Sequence, residues 1–417
     1  MYSHIYFMKG GIYMAIFYAF KKKKVPRMMK LCIIVGVLII VFLYGIIEEF
    51  QADQSLSMYS GSYSLMDGET GRVLIGKEET MPMANASTTK ILTCIVTLES
   101  CNLDEVVTIS ANAASQPKVR MGLKEGEKYS LKDMLYGLML ESYNDCAVAI
   151  AEHVAGDTEG FAKMLNEKAK ALGCKDTYFI TPNGLDAEDS NGFHHTTAED
   201  LCKIMAYCTW ESPMSKEFLK ITQTRNYASF VNRNAFLNQM DGVLTGKTGF
   251  TNKAGYCYVA AMEINGEKYC IALLACGWPN NKNYKWQDAR TLFEYGMDHY
   301  DKKQLDVSVP EQNIWIGGSV GTPCFSLLNK KGVLKLQSET RKYHLLIGED
   351  DVLEQEIILY TDETPPISKG QRMGICNVYI GNILVDTIPL TATDDVYIWG
   401  WKEIFDTIFY QFLTFSL

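Results

Sequence analysis

An α/β fold with a mainly antiparallel sheet, followed by a small all-β region, is what this sequence predicts. Hairpin-like stretches near Asp67 and Asn265 bracket a middle part whose apolar residues recur at helical spacing, and after Tyr300 the chain turns to short strand-like runs. A length of 417 residues with 47% hydrophobic content suits about two or three domains and excludes a disordered chain.

Each element has a local reason. Residues 61–75 alternate apolar and polar positions around the Asp67-Gly68 turn, as a hairpin does. From Ser87 the period becomes helical, with Ile91, Leu92, Ile95, Val96 and Leu98 at three- and four-residue steps. Further helices are predicted over 131–153 and 197–207, the second opened by the capping pair Thr197 and Asp200. Residues 256–264 and 268–275 form the clearest hairpin, because Asn265-Gly266 supplies the positive backbone angles of a two-residue turn. These elements outline a first domain over 58–300. Strand-like runs at 313–316, 343–347, 356–360 and 377–390 outline a β domain over 303–392. In the last segment, 399–417, Trp401, Ile404, Phe405, Ile408, Phe409 and Phe412 share one helical face, which predicts docking into a protein groove or, preferred here, the membrane interface.

Composition narrows the function classes. Residues 31–47 are an unbroken apolar stretch with Lys21, Lys22, Lys23, Lys24, Arg27 and Lys30 before it and Glu48 and Glu49 after it. No small-x-small cleavage site follows, so a transmembrane anchor is expected rather than a cleaved signal. The positive-inside bias then puts 1–30 in the cytoplasm and the rest on the extracytoplasmic face of the cell membrane. A net charge of −9, with one sharp basic run, argues against nucleic acid as a partner. The twelve cysteines are scattered, several in apolar runs such as those of Cys94, Cys202, Cys270 and Cys276, so they read as small buried hydrophobes with few or no disulfides. Among six histidines only His194 and His195 are close, and neither HExxH nor a Cys/His ligand spacing occurs, so no metal is expected.

Three short motifs in a fixed order carry the chemistry: Ser87-Thr88-Thr89-Lys90, Ser142-Tyr143-Asn144 and Lys247-Thr248-Gly249. A helix starting at Ser87 puts Lys90 one turn along the same face, so nucleophile and base are adjacent. A lysine acts as base only when its pKa falls, which burial and a second cation, here Lys247, both promote. An isolated pair of this kind is more often an N-cap and a solvated lysine, the reading that fits Ser115 and Lys118 with Pro117 between them. Ser142 and Asn144 are poor choices for an apolar helix. A hydroxyl that relays a proton to a leaving amine, and an amide that holds a substrate peptide group, would justify them; turn residues between two helices are the alternative. Lys247 and Thr248 suit a substrate carboxylate, and Gly249 would let substrate backbone approach the strand edge. The backbone N–H groups of Ser87 and Phe250 would form an oxyanion hole. A plain Thr-Gly turn, as at Thr245-Gly246, is the competing reading there.

With their flanks, these motifs resemble the serine D-alanyl-D-alanine carboxypeptidases, the low-molecular-mass penicillin-binding proteins that include sporulation-associated members. The matching stretches are Ala86 to Lys90, Ser142 to Asp145, Thr181-Pro182-Asn183-Gly184-Leu185, His195 to Leu201, Gly246 to Thr251 and Ala254 to Cys257. The resemblance implies a penicillin-binding/β-lactamase-like transpeptidase domain and a peptidoglycan stem peptide ending in D-Ala-D-Ala as substrate. Ser87 would attack it, Lys90 take the proton, Ser142 pass one to the departing D-alanine, and Asn144, Lys247 and Thr248 position the substrate. β-Lactams would acylate the same serine, and no cofactor is implied. Tyr143 stands where many members carry glycine, and Thr245-Gly246 lengthens the approach to the Lys-Thr-Gly strand. A class A-like β-lactamase is disfavoured, because Ala162 stands where its Glu-x-x-Leu-Asn pattern needs the deacylating carboxylate before Leu165-Asn166. A non-catalytic cell-wall sensor or scaffold is the remaining alternative.

Overall fold

The computed structural model describes residues 56–317, 319–320, 332–381 and 383–397, together with Phe405, Phe409, Phe412 and Leu413. The expected anchor at 31–47 and cytoplasmic segment at 1–30 lie outside the described residues. No helix among the described residues is long and apolar enough to cross a membrane.

The N-terminal part is organised on a five-stranded antiparallel sheet. Strands β1 (Ser62–Asp67), β2 (Val73–Lys77), β3 (Val243–Thr251), β4 (Gly255–Ile264) and β5 (Glu267–Leu274) lie in the order β2-β1-β5-β4-β3. The two predicted hairpins are both present. Asn265 and Gly266 adopt φ values of 53° and 82° between β4 and β5, as a two-residue turn requires. The first and last strands of this sheet in chain order thus pair, β1 with β5, and β3 is left as an edge strand among the described residues.

The helices between the hairpins include α1 (Lys90–Ser100), α2 (Leu131–Tyr136), α3 (Asn144–Ala155), α4 (Thr158–Ala171), α5 (Ala198–Ala206) and α6 (Ser215–Gln223), with α7 (Tyr284–His299) after the sheet. Every residue of α1 from Lys90 to Leu98 is buried, which places this helix at the centre of the core. Its polar residues are accordingly satisfied: Thr97 Oγ1 donates to Thr93 O at 2.6 Å and Thr93 Oγ1 to Pro182 O at 2.7 Å. Thr197 caps α5 by accepting from Asp200 N at 3.0 Å, as its sequence predicts.

The structure corrects two boundaries. The helix predicted over 131–153 is broken: α2 runs into a π-helical turn, Gly137–Glu141, and Ser142 leaves it at φ 66°, ψ 33°, before α3 begins at Asn144. Apolar periodicity continues across the break because both helices face one core, so it hid the interruption. The run 377–390 is likewise two strands, β11 (Arg372–Ile380) and β12 (Ile383–Ala392), joined through Gly381 at φ 56°.

Beyond α7, β6 (Tyr300–Val307) pairs with β9 (Arg341–Gly348), and a second five-stranded sheet runs β7-β8-β12-β11-β10, with β7 (Gln312–Ile316), β8 (Gly332–Gln337) and β10 (Leu353–Leu359). It has its own apolar clusters, around Leu334, Met373 and Leu390 and around Val307, Val378 and Ile388. This sheet-rich C-terminal region therefore packs on apolar clusters of its own. Its ties to the N-terminal part include Arg72, which pairs with both carboxylate oxygens of Asp351 at 2.7 and 2.8 Å and donates to Leu346 O at 2.6 Å, and Lys302 of β6, whose ammonium pairs with Glu69 at 2.7 Å. Phe405 and Phe409 stack with centroids 6.1 Å apart, and with Phe412 and Leu413 they are exposed helical residues.

Replacing Arg72 by alanine strands a largely buried carboxylate, and charge-assisted hydrogen bonds of this kind contribute about 1.5–3 kcal/mol. We expect earlier thermal unfolding and faster proteolytic nicking within 300–397 than in the N-terminal part; unchanged melting and cleavage would show the contact to be idle.

Candidate active site

The segment around Ser87 is fixed before it becomes helical. Ala86–Thr89 forms a 3-10 turn that runs directly into α1. The Asn85 carboxamide donates to Thr88 Oγ1 and Thr89 Oγ1, both at 2.9 Å, and Thr88 Oγ1 donates to Asn85 O at 2.7 Å. The Thr181-Pro182-Asn183-Gly184 segment lies against this turn, with Ser87 Oγ 3.4 Å from Asn183 O. Gly184 is at φ 80°, and a Cβ there would come within 1.9 Å of Ala86 O, so only glycine allows the approach. His194 joins the two segments. Its Nδ1 accepts from Ile180 N at 3.0 Å and Thr181 N at 3.3 Å, so the proton sits on Nε2 and is donated to Thr89 Oγ1 at 2.9 Å. Burial, and secondarily His195, push His194 down to about 3, keeping it neutral.

Lys90 stands at the first turn of α1, fully buried. Its Nζ lies 2.8 Å from Ser142 O, 2.8 Å from Asn144 Oδ1, 2.9 Å from Ser87 Oγ and 3.3 Å from Ser142 Oγ. Ser142 O and Asn144 Oδ1 can only accept. They use both hydrogens of a neutral amine and leave its lone pair to the Ser87 hydroxyl. Burial, and then the charge of Lys247, hold the Lys90 ammonium well below its ordinary pKa. Lys247 Nζ, itself buried, donates to Ser142 Oγ at 2.9 Å and to Thr248 O at 2.8 Å, and burial pushes it down to about 7. The Ser142 hydroxyl is thereby suspended between two lysines.

The break in the helix at Ser142 makes this possible. A left-handed serine costs about 1–3 kcal/mol. It turns both the Ser142 carbonyl and hydroxyl toward Lys90, which a continuous helix would not do. The neighbouring Asp145 carboxylate accepts from Met121 N, Gly122 N and Leu123 N at 2.9, 2.8 and 3.2 Å, and Asn144 Nδ2 donates to Pro117 O at 3.3 Å, so the loop flanking the cleft is pinned to the start of α3. Tyr143 packs edge-on to Phe230, centroids 5.7 Å apart.

Strand β3 forms the opposite wall. A Cβ on Gly249 would lie 2.9 Å from Asn85 O and 3.0 Å from Ser87 N. The glycine is thus required by the protein's own Ser87 turn, which differs from the sequence-level reason that substrate must approach there. The open cleft of about 460 Å³ is lined by Ser87, Ser142, Asn144, Thr248, Gly249 and Phe250, among others. Lys90 and Lys247 lie behind this lining. Lys247 therefore faces Ser142 first, where the sequence predicts contact with a substrate carboxylate.

All the sequence-predicted residues, Ser87, Lys90, Ser142, Asn144, Lys247, Thr248, Gly249 and Phe250, converge on one cleft. Ser115 is not part of it, since its hydroxyl donates to Asn112 O, but Lys118 lines the cleft. The sequence missed Arg233, paired with Glu141 at 2.7 Å, and the group Tyr256, Lys285 and Trp286. Lys285 Nζ lies 4.6 Å from the Tyr256 ring centroid and 4.5 Å from that of Trp286, and burial pushes its pKa down to about 8. No motif marks these residues; they come from separate segments. His194 was visible only as half of a histidine pair.

Residues 48–275 match the family described as D-alanyl-D-alanine carboxypeptidase. The chain is similar to the D-alanyl-D-alanine carboxypeptidase DacD of Salmonella typhimurium, 32% identical over 367 residues that cover 83% of this chain and 88% of that one. It is also similar to DacF of Bacillus subtilis, a protein of the same description, at 26% identity across 87% of this chain and 93% of the relative. Among solved structures, penicillin binding protein 5 from Haemophilus influenzae superposes with a TM-score of 0.64 at 22% identity, covering 83% of this chain and 99% of that chain, a likeness of fold.

A methyl group at position 249 must push β3 away from the Ser87 turn. Gly249→Ala should slow covalent labelling of the protein by a fluorescent penicillin by about 10²-fold, the usual penalty for displacing reacting groups by an ångström, with an unchanged circular dichroism spectrum. Labelling at the native rate would refute the proposed role of the close approach.

Proposed function

The chain belongs to the D-alanyl-D-alanine carboxypeptidase family, and we propose that Ser87, Lys90 and Ser142 carry out its hydrolytic chemistry. The protein is a serine peptidase of penicillin-binding fold that releases the terminal D-alanine of peptidoglycan stem peptides through an acyl-enzyme, and β-lactams bind to it as substrate mimics. The observation that carries the residue assignment is the buried Lys90 amine, 2.9 Å from Ser87 Oγ with its hydrogens committed elsewhere.

In this mechanism neutral Lys90 takes the Ser87 proton as Oγ bonds to the carbonyl carbon between the two D-alanines. The oxyanion that forms is received by the N–H groups of Ser87 and Phe250. Collapse breaks the peptide bond, and Ser142, polarised by Lys247, delivers a proton to the departing amine and recovers one from Lys90. Water then attacks the ester by the reverse path, with Lys90 again the base. Thr248 holds the terminal carboxylate from the cleft wall, Lys247 adds its positive field from behind, Asn144 holds the substrate's peptide group and Gly249 keeps the strand close to Ser87.

A β-lactamase reading gains nothing from the site. Asn166 clamps Phe179 through two backbone hydrogen bonds of 2.8 Å, and the Glu141 carboxylate in the cleft is committed to Arg233 and to Val231 N. For location, the basic flank and apolar run at 31–47 support a cell membrane anchor with the peptidase on the extracytoplasmic side, where stem peptides are found. Exposed Phe405, Phe409 and Phe412 support a second contact of the terminal helix with the membrane surface. A role in sporulation is supported only by the flanking-sequence resemblance.

Purified full chain in detergent should release D-alanine from a peptide ending in D-Ala-D-Ala, and Ser87→Ala should abolish release. β-Lactam labelling without any release would favour the sensor alternative. Because Lys90 must be neutral, acylation should rise with pH through its lowered pKa. Lys247→Gln removes the cation that helps lower it, so the acidic limb of the residual rate should move to higher pH; a limb that stays or moves lower contradicts Lys90 as the base.

A further inference from the structure

Away from the cleft, the far ends of α1 and α3 bring together three side chains of metal-binding type. Cys101 closes α1, Glu105 lies in the loop that follows, and His153 is in the last turn of α3. One ligand atom from each, a thiol sulfur, a carboxylate oxygen and an imidazole nitrogen, lie within 4.8 Å of one another, and Glu105 Oε2 is 2.9 Å from His153 Nε2. We propose that Cys101, Glu105 and His153 form a structural zinc site, completed by water.

Three features support it. Zinc bonds of about 2.0–2.3 Å to sulfur, nitrogen and oxygen place tetrahedral ligand atoms roughly 3.3–3.7 Å apart, so a set already within 4.8 Å has about an ångström to close around an ion. The set combines a soft, a borderline and a hard donor, the mixture that suits zinc better than calcium or magnesium. The carboxylate is already oriented, since Asn102 N donates to Glu105 Oε1 at 2.7 Å and leaves Oε2 toward His153. An ordinary Glu–His ion pair would need neither the adjacent thiol nor this orientation. All three residues are half-buried, which gives an ion a route in.

The position gives the site a purpose. α1 presents Lys90 at its first turn and α3 presents Asn144 at its own, and these meet at 2.8 Å. Helices of 11 and 12 residues separate them from the cluster by about 16–18 Å. A metal there would clip together the opposite ends of the two helices whose starts build the cleft. Linear spacing gives no hint of this, because His153 is 48 positions from Glu105.

The test uses the full chain, stripped with chelator and titrated with zinc, and with cobalt(II) as a spectroscopic probe. One zinc per chain, a zinc-dependent rise in melting temperature and a cobalt–thiolate charge-transfer band are expected. Cys101→Ser and His153→Asn should each weaken zinc binding by more than about tenfold, a loss that even outer-sphere changes reach, and Cys101→Ser should remove the band. Circular dichroism of each variant checks that it folds, and Glu105→Gln serves where one does not. Failure to take up one zinc per chain, or uptake undiminished in these variants, overturns the proposal.

Discussion

The N-terminal part is built around the burial of one amine. Lys90 sits at the start of a helix surrounded by core, where its charged form has lost its water and faces a second lysine. Burial of that kind is tolerated because two carbonyl acceptors and two hydroxyls surround the nitrogen. Supplying those groups dictates the local architecture: a helix broken at Ser142, a second helix starting at Asn144, and an edge strand whose lysine points inward. The arrangement also has a thermodynamic sign. A lysine whose folded pKa lies below its ordinary value destabilises the fold at all pH values under the folded value, and the cost fades as pH rises toward the unfolded value; for Lys247 that window runs upward from about 7.

Much of this was legible in the sequence where the signal is local. The Asn265-Gly266 hairpin, the Thr197 cap and the order of the three motifs each depend on neighbouring residues and were found at the predicted places. The break at Ser142 was not, because the apolar period of α2 resumes in α3 on the same core face. Gly249 was marked for the right position and a different reason: what it avoids is Asn85 and Ser87, more than 160 positions earlier in the chain. Arg233, Lys285 and Trp286 reach the cleft from segments that carry no motif, and only the packing of α7 and the strands brings them in. The second sheet was legible as strand-like texture, but its pairing order depends on long-range contacts that alternation does not encode.

His194 illustrates how an unreactive residue serves a reactive site. Neutral and buried, it accepts two backbone N–H groups from the 180–181 segment while donating to Thr89 on the Ser87 turn. A charged imidazole would have no acceptor role to play, so the depressed pKa and the tautomer are parts of one structural device. Arg72 does comparable work at the other end, where its bidentate pairing and backbone contact join two separately packed cores.

The edge position of β3 has a consequence for the kind of molecule the cleft accepts. Among the described residues no strand pairs with its outer backbone groups, and the Ser87 turn lies against one end of them. A peptide paired with that edge would be read mainly through its main chain, with every second side chain turned away from the protein. Recognition of that kind depends on the course of the main chain more than on the identity of the side chains at alternate positions.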